Sequence, residues 1–121
     1  MKWEFNQEVA DNFQHIISTN VPGYKELLET IFDLSTKFIQ FGGYVVDLGC
    51  SDGNVMEKFV KNYPKNTIIG IDSSKPMVEK SKKRFISHQN SKIILMDLNN
   101  NFPAHKASVI LCILTLQFTK L

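Results

Sequence analysis

Cysteine is scarce in this chain. The two present among 121 residues, Cys50 and Cys112, sit in apolar or strand-like surroundings without metal-type spacing. They imply neither a disulfide framework nor a metal site, and a reduced intracellular setting is the expectation. Histidine is equally thin: His15, His88 and His105 are scattered, and scattered histidines read as surface residues without a role. Charge of one sign is missing too. Fourteen Lys+Arg against twelve Asp+Glu give a net charge of +2, too small for a nucleic-acid footprint, which needs basic residues gathered on one face. Long hydrophobic runs are absent. The longest, Val109 to Leu114, is far below the ~20 residues of a membrane helix, and the N-terminal stretch has no apolar signal core, so a soluble, cytoplasmic protein is expected. Six Gly and four Pro are too few for a low-complexity or collagen-like tract.

What is present is ordinary globular material, 43% hydrophobic with nine Phe, in a length that suits one domain. After Asn6, a candidate N-cap, Val9, Phe13, Ile16 and Ile17 recur at helical spacing and predict a helix over 7–18. Asn20-Val-Pro-Gly23 breaks it. From Tyr24 the stripe Tyr24, Leu27, Leu28, Ile31, Leu34, Phe38 predicts the longest helix, stopped by Gly42-Gly43. Tyr44-Val-Val-Asp-Leu48 is apolar on both faces, as a central parallel strand should be. A glycine turn, Gly49-Cys-Ser-Asp-Gly53, follows at once, and Val55, Met56, Phe59 and Val60 then predict a helix lying on the sheet. Thr67 to Ile71 gives a second strand, Ser74-Lys-Pro76 opens another helix with Met77, Val78, Ser81 and Phe85 buried, Ile93 to Met96 gives a third strand, and Ser108 to Leu114 a fourth. The dense basic run Lys80, Lys82, Lys83, Arg84 reads as a solvated helix face.

Alternating strands and helices with continuously apolar strands call for an α/β fold with a parallel sheet and helices on both faces. Ligands of such sheets bind beyond the carboxyl ends of the strands. Three acids fall in that region: Asp47 within strand one, Asp72 after strand two and Asp97 after strand three. The glycine turn reads as a nucleotide-type cradle, because Gly53 lets the backbone approach a ligand and helix N-terminal amides aim at the same place. Asp72 lies 23 positions after Gly49, near the ~20-residue offset at which an acid accepts hydrogen bonds from a ribose diol. A rival reading stays open. Gly49-Cys-Ser51-Asp-Gly53 also fits the G-x-S-x-G elbow of α/β-hydrolases, with Asp97 and His105 available to complete a triad.

Val45-Val-Asp-Leu-Gly-Cys-Ser-Asp-Gly53, followed by Ile69-Gly-Ile-Asp72-Ser-Ser-Lys-Pro-Met77, resembles the first two motifs of class I S-adenosylmethionine (SAM)-dependent methyltransferases. Phe5-Asn-Gln-Glu-Val-Ala-Asp-Asn-Phe13, Asn20-Val-Pro-Gly-Tyr24, Asp47-Leu-Gly-Cys-Ser51 and Thr115-Leu-Gln-Phe118 are similar to the N-terminal part of the carboxy-SAM synthase branch, which serves wobble-uridine modification in tRNA. The resemblance implies a Rossmann-like three-layer sandwich with sheet order 3-2-1-4, truncated relative to the seven-stranded fold. One SAM-binding domain is then expected over 1–121, with N-terminal helices over 1–42 and the βαβ core over 43–121.

Carried over by motif, the resemblance implies that Tyr24 contacts the ligand, that Gly49, Cys50 and Ser51 line its methionine part, Asp72 and Ser73 its ribose, and Asp97 and Leu98 its adenine. Asp47, Gly53 and Met77 complete the expected cofactor-binding set. In ordinary relatives catalysis is largely positioning, with the sulfonium as the leaving group. The synthase branch uses prephenate as carboxyl donor and releases phenylpyruvate, which calls for a cation to hold the donor's carboxylates. This sequence departs from the branch at Ile113, where the pattern has Asn, and it lacks the later segment that carries the branch's carboxylate-binding Arg and Tyr. An apolar edge at 109–116 invites another chain, so a homodimer or a partner subunit is expected there. The alternative is a non-catalytic SAM-binding or dimerising module. No direct nucleic-acid binding is expected.

Overall fold

The computed structural model describes residues 5–100 and 106–113. Helix α1 (Gln7–Asn20) starts at Asn6, whose side chain accepts the Val9 amide at 3.0 Å and so satisfies one of the free N–H groups of the first turn. Helix α2 (Tyr24–Ser35) follows Gly23, which adopts φ +71°. The chain then alternates: β1 (Tyr44–Leu48), α3 (Glu57–Asn62), β2 (Thr67–Asp72), α4 (Lys75–Arg84), β3 (Ser91–Leu95) and β4 (Ala107–Leu111). Ser74 caps α4 by accepting the Met77 amide, with a proline at the start of the helix where its missing N–H costs nothing.

The strands form one parallel sheet in the order β3-β2-β1-β4, as expected. Successive side chains of a strand point to opposite faces, and two apolar clusters result. Val45, Ile68 and Leu111 face Met56, Phe59, Val60 and Phe85, with Ile31 and Phe32 of α2 packed against them. The opposite face gathers Val46, Leu48, Ile69 and Ile71 with Ile94, Met96 and Leu98. A third cluster, Ala10, Phe13 and Met77, fastens α1 to α4.

Several expectations change. α1 outlasts α2, fourteen residues against twelve, because α2 ends at Ser35. Its stripe is not uniformly buried: Leu27, Leu34 and Phe38 are exposed. α3 begins at Glu57, two residues after Val55, since the glycine turn runs on through Met56 before a helix can form. β3 starts at Ser91 and ends at Leu95, and β4 ends at Leu111 rather than Leu114. The basic run divides. Lys82 and Lys83 face solvent, whereas Lys80 and Arg84 turn inward to the buried carboxylate of Asp52, at 3.9 and 3.6 Å.

Gly53 shows how tightly the turn lies on α4. It has φ +95°, and a Cβ added there would sit 2.4 Å from Phe85 Cε2 and 2.8 Å from its Cζ. Gly53→Ala therefore combines backbone strain with overpacking and should destabilise the fold by about 1–3 kcal/mol in urea unfolding. A loss below about 0.5 kcal/mol, the range of neutral surface changes, would contradict this packing.

Candidate functional site

A cavity of about 470 Å³ opens beyond the carboxyl ends of β1, β2 and β3. Its floor is Gly49, Cys50 and Ser51 after β1, Asp72 and Ser73 after β2, and Met96, Asp97 and Leu98 after β3. Its roof comes from the N-terminal helices: Phe13, Ile16, Ile17 and Asn20 of α1, Val21 just after it, and Tyr24 at the start of α2. Eight expected site residues, Tyr24, Gly49, Cys50, Ser51, Asp72, Ser73, Asp97 and Leu98, are thus brought together. Three are not. Gly53 faces Phe85, Met77 is fully buried between α1 and α4, and Asp47 lies beneath the floor, 1% exposed.

The glycine turn is held from below. The amides of Gly49 and Cys50 both donate to the carbonyl of Ile71, at 2.7 and 2.9 Å, and the Gly53 amide donates to the Cys50 carbonyl. The Ser51 amide donates to Asp72 Oδ2 at 2.9 Å, while Asp72 Oδ1 accepts the Ser74 amide at 2.9 Å. Ser51 itself takes φ +52°, and its carbonyl accepts the Ser81 hydroxyl at 2.6 Å. This corrects the cradle reading. A phosphate site needs unspent N–H groups converging on an anion, whereas here the amides of Gly49, Cys50, Ser51 and Gly53 are committed inside the protein.

Instead the floor presents carboxylates. An ionised carboxylate offers about four acceptor sites, and Asp72 fills two of them with backbone amides, leaving the others for a ligand. Burial raises the Asp72 carboxyl above its usual range, against the pull of the Ser74, Ser51 and Ser73 amides. Asp47, directly below, has an Oδ2 with no hydrogen-bond partner among the described residues. Burial, and then the charge of Asp72, push its carboxyl up to about 8. Burial and the same acids also raise the Cys50 thiol, which disfavours its thiolate form.

Sequence reasoning missed the polar frame around the turn. Asp52, buried, accepts Gln14 Nε2 at 2.7 Å and lies near Lys80 and Arg84. Arg84 also bonds Glu57 Oε2 at 2.8 Å, the Asp52 carbonyl at 3.1 Å and Asn54 Oδ1 at 2.9 Å. The i, i+4 spacing of Lys80 and Arg84 was the available signal, since it places both on one helix face, opposite whichever acid approaches.

Residues 45–121 match the family model described as a methyltransferase domain. The chain belongs to this methyltransferase domain family. The match settles the choice between the SAM-dependent and hydrolase readings of the glycine turn; His105, the proposed triad histidine, lies outside the described residues, as does the motif Thr115 to Phe118. This methyltransferase domain is 36% identical over 119 residues to the carboxy-S-adenosyl-L-methionine synthase of Haemophilus ducreyi, covering 94% of this chain and 48% of the relative. The synthase of Desulforapulum autotrophicum is 33% identical over 123 residues, covering 98% and 50%. The chain spans about half the length of the curated relatives it matches. In fold it resembles a putative SAM-dependent methyltransferase from Methanococcus maripaludis, with TM-score 0.73, 23% identity, and 99% of this chain and 55% of that one covered. A methyltransferase from Thiobacillus denitrificans, solved with S-adenosyl-L-homocysteine, gives TM-score 0.65 at 23% identity, covering 93% and 44%.

The Asp47 carboxyl makes a pH prediction. Its folded-state value lies above the 3.8 of a free carboxyl, so the folded chain holds the proton more tightly than the unfolded one. Its contribution to stability is full below about pH 4 and is lost as pH rises through about 8, on the order of a few kcal/mol in all. Asp47→Asn should flatten that fall and gain stability relative to the native chain at pH 8, measured by urea unfolding at pH 5, 6.5 and 8. Equal pH slopes for the two proteins would contradict the assignment.

Proposed function

We propose that this chain binds S-adenosyl-L-methionine in the cavity beyond β1, β2 and β3, and that it serves as a SAM-dependent transferase of the carboxy-SAM synthase type. The observation that carries this reading is the pairing of spent amides with available carboxylates. A site with its turn amides committed and Asp72 and Asp97 at its rim disfavours a phosphate and favours a ligand with a cationic centre, a diol and an exocyclic amine.

The residues present fit such a ligand. The cavity volume lies within the ~300–1,000 Å³ usual for small-molecule sites. Asp72, pinned at both oxygens by backbone amides, has a fixed orientation and spare acceptor sites for a ribose diol. Asp97 and Leu98 follow β3 on one side of Asp72 and suit the base, while Gly49 to Ser51 follow β1 on its other side and suit the methionine part. Phe13, Ile16, Ile17 and Val21 line the cavity from above with apolar side chains. When bound, SAM supplies an activated one-carbon group on a good sulfonium leaving group. The chain's own part is to bind, orient and dehydrate.

The finer reading follows the relatives named carboxy-SAM synthase: prephenate as second substrate, the product destined for tRNA modification, in the cytoplasm. Among the described residues no helix is long and apolar enough to cross a membrane. A second copy of the chain on the outer edge of β4 completes the proposal, with Ile110, Leu34 and Phe38 exposed beside that edge.

Calorimetric titration of SAM into the chain should show binding, and Asp72→Ala should weaken it by about 1.5–3 kcal/mol through loss of a charged hydrogen-bonded contact. Unchanged affinity would refute the ribose assignment. Incubation with SAM and prephenate should yield carboxy-SAM by mass spectrometry; binding without product would favour the non-catalytic module. In sedimentation, the chain should run as a dimer that Ile110→Glu shifts to monomer, and a native monomer at micromolar concentration would end the edge-pairing proposal.

A further inference from the structure

Ser81 sits on the buried face of α4 with Met77 and Val78, fully enclosed at 0% exposure, where packing alone calls for no hydroxyl. A buried hydroxyl without a partner is costly, and a helical serine usually spends its O–H on the carbonyl one turn back. Here it reaches out of the helix. Its Oγ donates to the Ser51 carbonyl, 30 residues earlier in the glycine turn, at 2.6 Å, near the short end of the O–H···O range. The Cys50 thiol approaches the same oxygen only at 3.7 Å, and a thiol is a weak donor.

Ser51 is a residue that has to be held. Among the described residues it alone has a positive φ without being glycine, +52°, a left-handed conformation that crowds its Cβ against the following carbonyl. Such a conformation persists where the surroundings over-determine it. Ser51 is clamped at both ends: its amide donates to Asp72 Oδ2 at 2.9 Å, which fixes the peptide before it, and its carbonyl takes Ser81, which fixes the peptide after it. Neither clamp alone sets both torsions. With the Ser51 carbonyl released from α4, residue 51 can leave the left-handed region and carry its amide off Asp72. That carboxylate would then keep only the amides of the link into α4, and its Oδ2 would lose the hold on the side of the glycine turn.

We infer that Ser81 is a positioning residue: its buried hydroxyl holds the Ser51 carbonyl, keeps the glycine turn in its left-handed form, and thereby keeps the Ser51 amide on Asp72 and the Asp72 carboxylate directed at the cavity. This rests on the proposed SAM site, and it extends that site to a side chain outside the cavity lining. The hydroxyl comes from the middle of α4, the carbonyl from the turn after β1 and the carboxylate from the end of β2, so the three act as one chain of contacts.

The test compares Ser81→Ala, which favours the helix but has no donor, with Ser81→Cys, which keeps a weak one, and is read first without ligand. Followed by carbon NMR, the Asp72 side-chain carboxyl should titrate at higher pH in Ser81→Ala than in the native chain, because a carboxylate that loses an amide donor is less favoured in its charged form. Ser81→Cys should fall between the two. A hydroxyl that merely fills space would leave that titration in place, so an unmoved Asp72 overturns the inference. SAM calorimetry then reads the consequence: Ser81→Ala should weaken binding roughly three- to tenfold in the native background. Once Asp72→Ala is present, the same change should cost less than about twofold. Equal losses in the two backgrounds, or unchanged affinity in Ser81→Ala alone, would also overturn it. If the native chain does not bind SAM, the functional proposal fails by itself, and the Asp72 titration still decides the Ser81 link.

Discussion

The carboxylate of Asp72 is the tie on which the site depends. It ends β2, and its two oxygens take one amide from the glycine turn and one from the start of α4, at 2.9 Å each. The glycine turn after β1 and the link from β2 into α4 are thereby fixed to one planar group. Hydrogen bonds to a charged acceptor contribute more than neutral ones, about 1.5–3 kcal/mol each. The Ile71 carbonyl just before it captures two more turn amides. The turn is therefore shaped by the end of β2, and its glycines serve the geometry of that attachment.

This arrangement also sets the electrostatics. With the turn amides of Gly49, Cys50 and Ser51 spent, and Asp47 buried below Asp72, the floor carries negative character without a compensating cation in contact with either acid among the described hydrogen bonds and ion pairs. Asp47 responds by holding its proton; Asp72, with amide donors, is better placed to ionise. Cations are present nearby, but they are engaged elsewhere: Lys80 and Arg84 serve Asp52, and Arg84 also serves Glu57 and Asn54. Separating the two sets of acids keeps the frame neutralised and the cavity receptive to a positive ligand.

Much of the fold was legible because its signals are local. Short apolar runs containing β-branched residues at Tyr44–Leu48 and Thr67–Ile71 gave buried parallel strands, and Asn6 and Ser74 marked helix starts by capping chemistry. The sheet order followed from the family resemblance. Seven of the eight expected site residues at the cavity meet there because a parallel sheet brings its carboxyl ends to one edge, and Tyr24 joins them from the start of α2. What escaped was long-range. The direction of the Gly49–Ser51 amides depends on Ile71 and Asp72, and nothing within the turn's own sequence reveals it. Gly53 and Met77 looked like ligand positions by motif, but Phe85 and the α1–α4 contact decide their surroundings. Asn54 went unnoticed since a lone amide after a glycine turn is ordinary until two donors are seen to fix it.

The most direct check of the central claim is an amide chemical-shift titration, following Gly49, Cys50, Ser51, Ser73 and Leu98 while SAM and, separately, pyrophosphate are added. The account predicts that SAM shifts these signals together and saturably, and that pyrophosphate leaves them in place. Shifts with pyrophosphate and none with SAM would mean that the turn is an anion cradle after all.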